Sequence, residues 1–206
     1  MATEQQVPKI ASVLVEHQAG FGEFTTEDGQ WVIQNAVEAI GLFVEAVKNR
    51  AKEAVVGFFR SLGLTATIPA TTGAKTIAQA KDLFTGYIDP DFKNWGLDVA
   101  GEAKPETKVE SLELAKNGTF NELFTSLGDL DKRVMTDEQI IWLVQNRPDM
   151  LILDGATNSF LMKKGNEFFV ASVFRYGGEL GVHVGQLSRD RVWRAEHRPW
   201  LIVPQL

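Results

Sequence analysis

The chain has 206 residues, no cysteine and a formal net charge of -6, with 44% hydrophobic and 10% aromatic residues. That length supports one large domain or two small ones with a proper core, and the absence of thiols excludes a disulfide framework, thiolate metal sites and cysteine nucleophiles. No apolar run reaches the ~18 residues of a membrane span and the first residues lack the pattern of a signal peptide, so the expected location is cytoplasmic, with no membrane partner.

Residues 1–22 carry one short apolar pattern, Ile10, Val13 and Leu14, and read as a flexible arm. Residues 23–105 read as a mainly helical region. Its strongest signal is a long amphipathic helix from the Thr25-Thr26-Glu27-Asp28 cap to about Arg50, with Ile33, Val37, Ile40, Val44 and Val47 recurring at three and four residues. The pattern can continue through Ala54, Val55 and Phe58 to Gly63. An extended piece at 65–68 stops at Pro69, a helix is expected over 76–84, and Asp89-Pro90-Asp91 and the stretch 96–105 read as loops.

Residues 106–134 form a connecting segment: a strand at 109–114, the Asn117-Gly118 turn, and a short helix on Phe120, Leu123, Phe124 and Leu127. Thr136-Asp137-Glu138-Gln139 is a capping-box sequence that opens a helix ending before Pro148. After it the period changes to two, with strands expected at 160–163, 167–176, 180–187 and 192–197, short turns between them, and a last extended piece at 200–203. Residues 135–206 thus read as an α+β unit of four to five antiparallel strands. The expected fold class is α+β: a helical N-terminal part with the long amphipathic helix, and a C-terminal antiparallel β-meander packed on one helix.

Four strings, Gln30-Trp31-Val32-Ile33-Gln34-Asn35, Thr67-Ile68-Pro69-Ala70-Thr71-Thr72-Gly73, the run 87–96 from Tyr87 through Asp89-Pro90-Asp91-Phe92 to Trp95-Gly96, and Val192-Trp193-Arg194-Ala195-Glu196-His197-Arg198, resemble hypothetical proteins of small-genome candidate-phylum bacteria. The resemblance spans most of the chain. It implies a bacterial protein and carries over no activity, fold or site residue.

Chemistry-bearing motifs are sparse. Thr71-Thr72-Gly73-Ala74-Lys75-Thr76 has the Lys-Thr pair of a phosphate loop, but Ala74 and Pro69 stand where its two glycines belong. His17, His183 and His197 are the three histidines, with no metal-ligand spacing among them, so no cofactor or metal is expected. On a strand, His183 shares a side with Gly181 and Gly185, small neighbours that leave room for a ligand. Asp89 with Asp91, and Glu27 with Asp28, sit in turn and cap contexts where solvated acids are the norm. There is no nucleophile elbow.

Residues 159–206 carry 7 Lys and Arg against 4 Asp and Glu, a net +3 on an otherwise acidic chain. Arg175, Arg189, Arg191, Arg194 and Arg198 lie there among Phe174, Tyr176, Trp193, His197 and Trp200. Guanidinium forks bind phosphate and aromatic faces stack on bases, which makes Arg175, His183, Arg191, Arg194, His197 and Arg198 the candidate ligand-binding set. No catalytic residue is assigned. The leading expectation is a non-enzymatic intracellular interaction or oligomerisation module with a protein partner or self-association. The alternative is single-strand or RNA binding through the basic C-terminal sheet. An enzyme comes third, to be promoted by a deep pocket that gathers His183 or His197 with acids.

Overall fold

The computed structural model describes residues 55–205 and, before them, only Glu27, Trp31, Gln34, Asn35 and Glu38. The chain divides into two units, Met1–Arg50 and Ala51–Leu206; the architecture below is that of the second. The arm at 1–22 and, apart from those five positions, the long helix at 25–50 lie outside the described residues.

Where the amphipathic helix was expected to run on towards Gly63, the chain is extended. Val55–Val56 (β1) and Phe59–Ile68 (β2) form a hairpin. Gly57, at φ +64°, opens its two-residue turn, and β-branched and aromatic side chains on both flanks favour a pleated surface. The helix expected at 76–84 is a single 3-10 turn, Ile77–Gln79, which Thr76 does not cap with its side chain. Tyr87–Ile88 (β3) and the one-turn helix Asp91–Asn94 (α1) follow.

The next strands are Thr107–Leu114 (β4) and Gly118–Thr119 (β5), then the helices Phe120–Thr125 (α2) and Asp137–Asn146 (α3). Both helices open on complete capping boxes: Thr119 with Glu122 and Thr136 with Gln139 exchange side-chain and backbone hydrogen bonds. Thr157–Lys164 (β6), Glu167–Tyr176 (β7) and Glu179–Gln186 (β8) make the expected meander. Its second turn is Gly177-Gly178, both at positive φ as a two-residue hairpin loop requires. Val192–Trp193 (β9) is short, and Trp200–Pro204 (β10) closes the series.

Eight of these strands form one mixed sheet in the order β1-β2-β4-β10-β6-β7-β8-β3, while β5 and β9 pair apart from it. This overturns the expected fold class. Among the described residues no helix exceeds the ten residues of α3, and strands from the region read as helical share a sheet with the meander. Nor is the C-terminal part a simple antiparallel meander: β10 inserts between β4 and β6, antiparallel to the first and parallel to the second, and β9 leaves the sheet altogether. Among the described residues no helix is long and apolar enough to cross a membrane.

Both faces of the sheet are covered, because side chains alternate along each strand. On one face Phe160, Met162, Phe169, Ala171, Val173, Val182, Val184 and Ile202 meet Ile140, Leu143 and Val144 of α3, with Ile77, Phe84 and Phe92 from the segment before β4. On the other, Leu112, Leu114, Leu161, Val170, Leu201 and Val203 meet Phe120, Leu123 and Phe124 of α2. Asn158, fully buried on β6, accepts from the Ile152 amide at 2.8 Å and donates to the carbonyls of Ile152 and Val173, tying the loop before β6 to the sheet.

The first turn of α3 pins the loop that resembled a phosphate cradle. Glu138 Oε2 accepts from the Gly73 amide at 2.6 Å and from Thr72 Oγ1 at 3.0 Å, and Asp137 Oδ2 accepts from the Ile77 amide at 2.8 Å. Two carboxylates therefore take amide donors that a phosphate would need. Burial pushes the Asp137 carboxyl up to about 6, against the Ile77 hydrogen bond and the charge of Lys164, which pull it down. An acid raised in the folded state keeps its proton after the unfolded chain has lost it, so stability from Asp137 is full below about pH 4 and withdrawn as pH rises through 6. Asp137→Asn keeps an acceptor for Ile77. It should flatten the fall in stability between about pH 4 and 6 and raise stability at pH 7 by at most about 3 kcal/mol. Urea unfolding of both proteins across that range checks this, and an unchanged slope in the variant would contradict it.

Candidate functional site

The α2 face of β6, β7 and β8 is not fully covered. Antiparallel pairing sets Ser172 opposite His183, Val170 opposite Gly185 and Phe174 opposite Gly181, and all six point to this side. Towards β10 the face disappears under α2. Towards β3 it opens into a cavity of about 500 Å³, with Val170, Ser172, Phe174, His183 and Gly185 at its floor and Phe120 and Trp193 as its wall.

The two glycines do different work. A Cβ at Gly181 would lie 2.5 Å from Cζ of Phe174, because that ring covers the strand there; at Gly185 a Cβ would meet nothing within 4 Å. The room expected beside His183 is thus real at Gly185 and filled at Gly181. The Phe174 ring, held by this contact, stacks on the His183 imidazole with centroids 4.9 Å apart and planes at 18°. Tyr87 packs on His183 at 4.8 Å, tilted by 53°.

Asp89 completes the cluster. Its Oδ2 lies 3.2 Å from His183 Nδ1 and accepts from the Val184 amide at 3.3 Å, while Oδ1 accepts from the Asp91 amide at 3.0 Å. The parallel pairing of β3 with β8 puts Ile88 opposite Val182, and the Asp89 amide donates to the Val182 carbonyl, so Asp89 is delivered beside His183 from 94 residues away. The turn role read from the sequence is also present, on the other oxygen of the same carboxylate.

The far wall is built by the chain after β8. It pairs as β9 with β5, Gly118 opposite Trp193, and the Asn117 carboxamide oxygen accepts from the Ala195 amide at 2.9 Å. Trp193 packs on Phe120 at 4.6 Å, and the Arg191 guanidinium lies 4.9 Å over the indole, a favourable cation–π contact. Trp193 Nε1 is buried and, among the described residues, has no hydrogen-bond partner.

Of the six candidate residues, the cavity gathers three: Arg175, His183 and Arg191, joined by Arg189. Arg194 and His197 line a neighbouring pocket of about 280 Å³, which shares Gly155, Thr157, Arg191 and Trp193 with the first. Arg194 pairs with Glu196 at 3.3 Å. Arg198 is a structural residue: from a left-handed backbone, φ 47°, its Nη2 and Nε reach Oε2 of the buried Glu113 at 3.0 and 3.3 Å. Asp89 and the floor residue Ser172 were missed as site residues. The strand register would have placed Ser172 opposite His183, but the sequence carries no signal for the β3–β8 pairing that brings Asp89.

Among the described residues Arg175, Arg189 and Arg191 have no carboxylate partner, and Asp89 is the one acid lining the cavity. Arg175, Arg189 and Arg191, several aromatic rings and the imidazole held by Asp89 thus line one opening, and guanidinium and aromatic groups are chemically suited to anions and to planar rings. Gly181→Ala should cost about 1–3 kcal/mol, the usual range for overpacking, because Phe174 must move, whereas Gly185→Ala should leave stability within about 0.5 kcal/mol. Denaturant titrations of the two variants make the comparison, and equal costs would contradict the placement of the Phe174 ring. No family model matches the chain, and no curated protein or solved structure matches it either.

Proposed function

We propose that this chain is a binding module whose ligand is a small anion bearing a planar ring, a mononucleotide being the form that best matches the cavity. The reading is carried by one observation: three arginines without carboxylate partners among the described residues, Arg175, Arg189 and Arg191, are among the residues lining an aromatic-walled cavity of about 500 Å³. That volume lies in the usual range for a small-molecule site of roughly 300–1,000 Å³. The aromatic faces supply stacking area and the arginines can supply the phosphate contacts. The occupant is narrower than the protein partner expected from the sequence.

A second reading has its own support. The cavity and the pocket of Arg194 and His197 share Gly155, Thr157, Arg191 and Trp193, so an oligonucleotide with one base in each would use both, as single-strand binders do. Dinucleotides binding at least tenfold tighter than mononucleotides, with a steep loss of affinity in salt, would favour it.

Isothermal titration calorimetry with 5′-mononucleotides, nucleosides and inorganic phosphate tests the main reading. Mononucleotides should bind at micromolar to millimolar concentration and both half-ligands at least about tenfold more weakly, since each gives up contacts worth 1.4 kcal/mol or more. Arg191→Ala should weaken binding by a similar factor, and Gly185→Val, which fills the open floor, should abolish it. Binding that survives Gly185→Val, or none at millimolar concentration, would remove the cavity from consideration.

A further inference from the structure

We propose that Asp89 and His183 act as a general-base pair that hydrolyses a phosphodiester of a ring-bearing alcohol held in this cavity, a proposal that rests on the ligand reading above.

The argument starts from the carboxylate. Asp89 receives the His183 ring at 3.2 Å and the amides of Val184 and Asp91 at 3.3 and 3.0 Å, and its side chain is 14% exposed. A carboxylate that takes all its contacts as an acceptor requires the ring proton on Nδ1. Nε2 then carries the lone pair, and among the described residues nothing occupies it. Phe174 and Tyr87 hold the plane of the ring, and the Asp89 contact on Nδ1 selects which edge faces the carboxylate. Yet the side chain is 54% exposed, and an ion pair that open to water contributes little to stability. Two aromatic neighbours thus fix the ring plane and Asp89 fixes which nitrogen is basic, in an arginine-lined cavity, an arrangement explained by proton transfer to a bound molecule better than by folding energy.

The step balances with water as the only co-reactant. Nε2 of His183 takes a proton from a water molecule as its oxygen forms a bond to phosphorus. The bond from phosphorus to one ester oxygen breaks, and that oxygen leaves with the electron pair. The proton on Nε2 then passes to the departing alkoxide, or to solvent when an aryl oxide leaves. The products are a phosphomonoester and an alcohol. Arg189 and Arg191, on the rim, offer positive charge to the non-bridging oxygens as negative charge builds there. Asp89 is a positioning residue: it sets the tautomer and steadies the imidazolium without accepting the proton.

The test uses the full chain with bis(p-nitrophenyl) phosphate, an anionic aryl diester, and follows release of p-nitrophenolate. Release should fall about 10²-fold or more in His183→Ala, recover in part when imidazole is added, and fall in Asp89→Asn. His183→Gln serves as a second variant if His183→Ala unfolds. Independently of rate, long-range ¹H–¹⁵N correlation should show neutral His183 protonated at Nδ1, and Asp89→Ala should lift that preference. Mononucleotide binding with p-nitrophenolate release no faster than in His183→Ala would overturn the general-base role and leave the binding reading standing. Absent mononucleotide binding would take down both.

Discussion

The fold depends on one strand with neighbours of opposite sense. β10 pairs with β4 over five residue pairs, antiparallel, and with β6 in parallel. It alone joins the β1-β2-β4 half of the sheet to the β6-β7-β8-β3 half. Leu201, Ile202 and Val203 are almost wholly buried because each face of this strand lies against a core, and an unbroken apolar run is what a strand in that position requires. Pro204, which has no amide hydrogen to give, ends it. The helices on the two faces pack against a surface that exists only once β10 is in place.

Charge is distributed to match. Several arginines have structural duties: Arg198 and Arg60 meet the buried Glu113, Arg147 holds Asp149, and Arg133 caps the carbonyls of Leu127 and Pro204. A guanidinium so engaged already commits donors to the fold. Those around the cavity differ: among the described residues none has a carboxylate partner, and Arg191 alone has an aromatic one. The basic excess of the last fifty residues is thus partly internal neutralisation and partly a concentrated field over one opening.

How much of this was legible follows from how local each signal is. The strands β6, β7 and β8 and their glycine turns showed in the sequence because period-two alternation and a two-residue loop are properties of neighbouring residues. The capping box at Thr136 showed for the same reason. Only the end of β2 showed, as the extended piece at 65–68: a register shift between Ser61 and Thr65 breaks its alternation, and the apolar residues before it happened to continue a helical spacing. The position of β10 between β4 and β6 is set by partners more than forty residues away, which no local pattern records. At the site, His183 with Arg175 and Arg191 was accessible because strand parity puts His183 on an open face and composition marks the arginines. Asp89 looked like a turn carboxylate, and it is one; its second role arises from two-residue pairing of β3 with β8. Arg198 looked like a ligand residue because an unpaired and a paired arginine are identical until Glu113 is placed opposite.

Among the strands described here, the one that unites the sheet is also the last to leave a ribosome. While the nascent chain grows, β4 and β6 each carry an open edge with amide and carbonyl groups unsatisfied, and among the described residues no strand made before β10 pairs with both. For the time it takes to make the stretch from β6 to β10 the polypeptide offers two sticky borders, the condition under which strands join the wrong molecule. Slow translation over that stretch, or crowding of several copies on one message, lengthens the exposure of both borders.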